Sequence, residues 1–312
     1  MSRDKSTAVT PADPWITLGR FTPARIGLGR AGGSIPTKPL LEFQLAHARA
    51  RDAVQRDLDA DAVREALRER GFEVLELHSA APDRRTFIQR PDLGRILSME
   101  AKALLEANEH TGDPFDALFV VADGLSALAT ERHAPALLAQ IAPRLAHARW
   151  RLAPICLVRQ GRVAVGDEIG TLLPAAMTVM LIGERPGLSS PDSLGIYLTW
   201  DPVPGRSNAE RNCISNVRPE GLSYALAAHK LFYLMTEARR RKLSGVDLKE
   251  DAPALALKEQ SGRCECRVWN RVGERMRLLL LFFPALRRRA HASLAVEPWE
   301  MGELAFGSTL TR

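Results

Sequence analysis

One carboxylate in this sequence sits where side chains do chemistry, in a rigid loop directly after an apolar run. Thr178-Val-Met-Leu-Ile182 is a run of β-branched and aliphatic residues, which reads as a buried strand. Gly183-Glu184-Arg185-Pro186-Gly187 then breaks it. Pro186 removes a backbone donor, and Gly187 permits dihedrals that other residues avoid. A second strand follows at Leu194-Gly-Ile-Tyr-Leu-Thr-Trp200. Ligands of open α/β sheets settle beside loops at the carboxyl ends of strands, so Glu184 and its neighbours are expected to face a large ligand. Taken alone, Glu184 also suits a solvated loop acid.

Other candidates are weaker. Gly27-x-Gly29-x-x-Gly32 has the spelling of a dinucleotide fingerprint. That motif needs a buried strand before it and a helix directly after it. Here Pro23 interrupts the approach, and Gly33, Ser34 and Pro36 delay the helix. The alternative is an irregular Gly-rich arm whose Arg25 and Arg30 contact a partner chain. Cys264-x-Cys266 lacks two further ligands at zinc spacing, so no metal site is expected. Asp123, at the end of another apolar run, is either a turn residue or a weak candidate beside the same rim as Glu184.

The elements that must position these residues follow from periodicity. Helices are expected from Thr37 to about Leu58 and from Ala60 to Arg70, the second ending at Gly71. Glu73-Val-Leu-Glu-Leu-His78 alternates like a strand, and Thr86-Phe-Ile-Gln89 is a candidate to pair with it. A further helix is expected from about Arg95 to Asn108, which makes the first region small and mainly helical. From residue 109 the texture changes. Strands at Ala117–Val121, Pro154–Val158, Thr178–Ile182 and Leu194–Trp200 are separated by helical stretches, and a long helix before Trp150 is expected to break at Pro135 and Pro143. Cys213-Ile-Ser-Asn-Val217 and a helix from about Pro219 to Lys242 complete the pattern. This alternation argues for an α/β fold with a parallel sheet covered on both faces. In such a sheet the loops at Asp123-Gly124, Gln160–Val163, Gly183-Glu184 and Asp201 onward share one rim.

Composition bounds the function. The 312 residues suffice for two domains with real cores, and 46% hydrophobic content is that of a globular protein. The net charge of +6 is spread along the chain among acids, and no nucleic-acid-binding motif accompanies it. Four cysteines without CxxC spacing exclude a disulfide framework and point to a reduced, cytoplasmic setting. The longest apolar run, Leu278–Leu286, is too short to span a bilayer.

Several ordered motifs carry a more specific signal. They are Thr22-x-Ala-Arg-Ile26 with Gly29-Arg30-x-Gly32, Leu41-x-Phe43 through Ala46-His47, Arg90-Pro91-Asp92-x-Gly94, Asp123-Gly124-Leu125-Ser126, Gly161-Arg162-Val163, Gly183–Gly187, Cys213-Ile-Ser-Asn216 and Ser244-Gly245. Together, over about residues 19–248, they resemble the small subunit of adenosylcobalamin-dependent ethanolamine ammonia-lyase. The resemblance implies an α/β, Rossmann-like domain (109–248) preceded by a smaller, mainly helical region (19–108). It implies a hetero-oligomer with a separate large subunit that holds the substrate, with ethanolamine converted to acetaldehyde and ammonia by a radical route. The cobalamin would lie between the subunits, touched by Val163, Glu184 and Cys213, and no catalytic residue is assigned to this chain. A carboxylate suits the amide donors of a corrin, and a small soft side chain such as Cys213 suits close approach. No Asp-x-His-x-x-Gly occurs, so none of the seven histidines is expected to ligate cobalt. The family's enteric members carry a longer N-terminal lead linked to packaging in a bacterial microcompartment; here the matching region begins near residue 20.

Outside the resemblance, residues 1–18 read as a disordered lead and residues 249–312 as a poorly ordered extension. Two other functions remain open on the residues alone: a stand-alone nucleotide-binding oxidoreductase using Gly27–Gly32, and a scaffold subunit without cofactor contact.

Overall fold

A computed structural model of the chain describes residues 13–107 and 112–252. The expected extension beyond 252, with Cys264, Cys266 and the run Leu278–Leu286, lies outside the described residues, as does most of the expected disordered lead. Within that lead, Pro14–Arg20 wind into a 3-10 helix whose first turn is capped by the Asp13 carboxylate.

A six-stranded sheet organises the rest. Its strands are β1 (Val74–His78), β2 (Leu118–Ala122), β3 (Ile155–Arg159), β4 (Met177–Gly183), β5 (Leu194–Trp200) and β6 (Arg211–Val217), in the spatial order β1-β3-β2-β4-β5-β6. The pairings of β1 with β3, β3 with β2 and β2 with β4 are parallel. Those of β4 with β5 and β5 with β6 are antiparallel. The sheet is therefore mostly parallel, with β5 reversed, rather than parallel throughout. The cause is chain length: a parallel crossover needs a dozen or more residues, and the Glu184–Ser193 link is shorter. β1, from the segment expected to be mainly helical, is an edge strand of this same sheet.

Alternation along the central strands divides the core in two. Phe119, Val121, Val179 and Leu181 face α2 (Ala60–Arg68), α5 (Ala127–His147) and α7 (Tyr224–Arg241). Leu118, Val120, Met180 and Ile182 face α4 (Met99–Ala107) and α6 (Val165–Leu172). Beyond its buried first residue, Arg211, β6 is covered on one face only among the described residues. Ile214 and Val217 join the first core, while Cys213 and Ser215, which point the other way, stay exposed. Among the described residues the α4–α6 layer reaches this hairpin only at Arg211, which pairs with Asp167 of α6, and leaves an open sheet face beyond it.

Three local expectations are corrected. Residues Arg84–Gln89 form a helix (α3), not a strand, because Asp83 caps it by accepting from Thr86 N at 2.7 Å. α5 runs unbroken through Pro135 and Pro143. Its packing on the sheet and on α7 outweighs the lost backbone bonds. The helix before β2 begins at Met99 rather than Arg95, after a 3-10 turn at Leu93–Arg95. α1 (Thr37–Gln55) and α2 form as expected.

Candidate functional site

Two adjoining depressions lie on and beside the open face, of about 720 and 430 Å³. Arg162, Val163 and Tyr197 line both. The larger adds Arg95, Arg206, Arg211 and Cys213, and the smaller adds Gly124, Gly183, Glu184 and Arg185. The structure thus brings Val163, Glu184 and Cys213 to one surface although they are far apart in sequence. No histidine lines either depression.

Glu184 is held, not free. Its amide donates to Ser193 O at 3.0 Å. Its Oε2 accepts from Ser193 Oγ at 2.7 Å, its Oε1 accepts from the Ser215 hydroxyl, and the Asn216 amide donates to both oxygens at 3.2–3.3 Å. A carboxylate has about four acceptor directions, and these three donors make four contacts, two on each oxygen, so the cradle fixes the group. Close backbone approach sets the loop. A Cβ on Gly183 would lie 2.0 Å from Ser126 O, and one on Gly124, whose φ is +54°, would lie 2.3 Å from Gly183 O. Neither position accepts a side chain without moving the backbone.

Val163 ends the loop after β3, half-buried at the entrance to α6. That loop is fixed from beneath by Asp123, whose carboxylate accepts from Gln160 N and Gly161 N at 3.0 Å each and from Arg84 Nη1 at 3.2 Å. Burial pushes the Asp123 carboxyl up to about 6 against the pull of Arg84 and the amides. Asp123 is therefore near the expected rim but points into the interior and lines neither depression; it supports the site from inside. From the side, Arg162 N donates to Gly94 O at 2.7 Å and its guanidinium lies 4.3 Å from the centre of the buried Phe87 ring. Arg162 Nε is buried without a hydrogen-bond partner.

Cys213 stands opposite Tyr197 in the β5–β6 register. Burial pushes the Cys213 thiol up, and burial with the nearby Cys213 and Glu184 pushes the Tyr197 phenol up to about 12, so both are neutral near pH 7. Sequence reasoning misses Tyr197, the aromatic wall shared by the two depressions. Its signal is the period-2 alternation of β5, which sets Tyr197 on the face opposite Ile196 and Leu198.

The Asp201 loop is a correction. Because β5 runs antiparallel, Asp201 emerges at the opposite end of the sheet, where its amide donates to Ala176 O at 2.9 Å. The segment after it returns to the larger depression through Arg206, Ser207 and Asn208. Arg206 pairs with Asp201 and Glu210 at 2.7 and 2.6 Å, and Arg211 pairs with Asp167 at 2.6 Å. Arg95 has no ion-pair partner among the described residues.

The Gly27–Gly32 segment lacks the setting of a dinucleotide fingerprint. No strand precedes it among the described residues, and Gly27, Gly29 and Gly32 all adopt positive φ in an irregular arm before α1.

The family model "Ethanolamine ammonia-lyase light chain (EutC)" matches residues 12–249. Proteins named ethanolamine ammonia-lyase small subunit are 60% identical over 255 residues in Azotobacter vinelandii (81% of this chain, 94% of that protein). The corresponding figures are 57% over 256 residues in Pseudomonas fluorescens (81% and 93%). In Xanthomonas campestris they are 59% over 249 residues (79% and 92%). No described helix is long and apolar enough to cross a membrane. The match spans most of the chain and both strand-end loops of the site, and the chain belongs to the small-subunit, or light-chain, family of ethanolamine ammonia-lyase, a lyase.

Proposed function

We propose that the open β5–β6 face binds one side of adenosylcobalamin, and that the large subunit of ethanolamine ammonia-lyase encloses the rest of the cofactor and holds the substrate. One observation carries this reading: Val163, Glu184 and Cys213, from three separate loops and strands, line one pair of depressions on a sheet face that no helix of the described chain covers.

The residues present fit a corrin. Glu184, fixed by Ser193, Ser215 and Asn216, is a charged acceptor for a side-chain amide of the ring, which would compete with the long, shared contact from Asn216 N. Val163 and the Tyr197 ring offer apolar surface, and Cys213 allows close approach. The buried, unpartnered Arg162 Nε is a donor awaiting an acceptor. When bound, the cofactor supplies radical chemistry by homolysis of its cobalt–carbon bond; this chain positions it. On this reading the large subunit holds the substrate and no described residue is assigned a catalytic role, so the isolated chain is expected to be inactive.

The test is a titration of the complex, purified from cells making both subunits, with adenosylcobalamin. Replacing Glu184 by Gln keeps the shape and removes the charge. Gln still accepts a hydrogen bond, so the loss is the charge-assisted increment, about 1 kcal/mol, or roughly fivefold in affinity. Unchanged affinity would mean that the cofactor does not touch this loop.

A further inference from the structure

α1 is a 19-residue helix with one buried residue, Ala53, near its C-terminal end. Around it the chain is tied down only locally. Arg56 pairs with Glu131 at 2.7 Å, and Arg84 Nε donates to Val54 O at 2.7 Å. N-terminal to those ties the polypeptide presents apolar side chains to solvent. Trp15 and Ile16 are 64% exposed, Phe21 86%, Ile35 52%, Leu41 57% and Leu45 53%. The 3-10 helix and the arm are one piece, since a Cβ on Gly27 would lie 2.6 Å from the Ile16 backbone.

At these exposures the six side chains together present roughly 750 Å², against about 800 Å² per partner in a standard interface. A helix with so little packing on its own fold draws its stability from elsewhere. The charge of the arm narrows the choice of partner. Between residues 14 and 47 it carries Arg20, Arg25, Arg30 and Lys38 against the single acid Glu42, and none of these cations is in an ion pair among the described residues. Two copies of this arm meeting face to face would set cation against cation, which opposes self-association.

We propose that residues 14–47 form the main anchor by which this chain grips the large subunit, inserting Trp15, Phe21, Leu41 and Leu45 into an apolar groove bordered by carboxylates. The inference rests on the assembly reading given under Proposed function. It adds that the anchor is a second surface, separate in sequence from the loops that line the depressions.

The experiment uses the full chain and the full large subunit. Hydrogen–deuterium exchange across residues 37–47 is expected to slow at least tenfold when the large subunit is added. The double variant Leu41→Asp/Leu45→Asp is expected to keep the wild-type circular dichroism and to retain at least tenfold less large subunit on a tagged column. Unchanged exchange in the complex, or equal retention by the variant, overturns the anchor while leaving the assembly reading intact. Equal protection on raising the concentration of this chain alone, or on adding anionic phospholipid vesicles without the large subunit, assigns the surface to another occupant and also overturns it. A wild-type chain that retains no large subunit at all sinks the assembly reading, and the anchor with it.

Discussion

Arg211 at the start of β6 grips Asp167 in the first turn of α6 through two parallel hydrogen bonds, Nη1 to Oδ1 at 2.7 Å and Nη2 to Oδ2 at 2.6 Å, with both side chains almost wholly buried. Thr199 Oγ1 and Arg206 O accept two more of its protons, at 2.8 and 2.9 Å. The pair bridges the two walls of the larger depression, the helix that begins just after Val163 and the strand that carries Cys213. Removing one partner leaves a buried charge unpaired, which costs about 3–5 kcal/mol. Asp167→Ala is therefore expected to lower the unfolding free energy by about that amount in urea titration. A loss below about 1 kcal/mol would show that the pair is not sealed from water.

Ser215 is exposed and its hydroxyl donates to Glu184 Oε1. Ser215→Ala is expected to leave the melting temperature of the chain unchanged and to weaken cobalamin affinity of the complex by about 1 kcal/mol, or roughly fivefold. Isothermal titration of the two complexes reads this directly. Equal affinities would show that the carboxylate needs no second hydroxyl to hold its aim.

Gly183 has backbone oxygens on its side-chain side: a Cβ there would meet Ser126 O at 2.0 Å and Asp123 O at 2.6 Å. Gly183→Ala must push β4 away from the loop after β2. The expected outcome is a loss of about 2–4 kcal/mol of stability and displacement of Glu184. A control, Gly205→Ala, meets no atom within 4 Å, although its φ of +101° still strains a side chain. Its loss should be smaller, about 1 kcal/mol. Thermal melts of both variants decide the ordering.

Asp123 gives the pH prediction. Its carboxyl is raised to about 6 in the folded chain, from 3.8 when exposed. The folded state therefore holds a proton that the unfolded state has released over the window from about pH 4 to pH 6. Stability falls through that window as pH rises, and the penalty is fully present above about pH 6. Asp123→Asn does not titrate. The wild type is expected to lose on the order of 2–3 kcal/mol relative to the Asn variant between about pH 4 and pH 6.5. Parallel stability curves for the two proteins over that range would refute the buried, proton-holding state.

Much of this site is legible in the sequence because its parts are local. The apolar runs at 117–121, 154–158 and 178–182 become β2, β3 and β4, and the Gly and Pro residues after them mark the loops that carry Val163 and Glu184. The reversal of β5 is implicit in the short link at 184–193 but is masked by the α/β rhythm before it, and that rhythm sets Asp201 on the wrong rim. Thr86–Gln89 has strand-like residues, yet Asp83 three positions before Thr86 is a capping signal that outweighs them. The inward role of Asp123 is not readable from the chain. It depends on Arg84 and on the Gln160 and Gly161 amides, which only the folded sheet brings within reach.

Cys213 and Ser215 stay open to solvent because, among the described residues, α6 reaches β6 only at Arg211. This chain therefore supplies a floor without a ceiling. On the proposed reading, ligand bulk directed away from that floor meets none of the described residues, so discrimination between analogues altered on their far side is expected to fall to the large subunit. Pairing one floor with large subunits from different species is then expected to change which analogues are admitted, while the proposed contact at Glu184 stays the same.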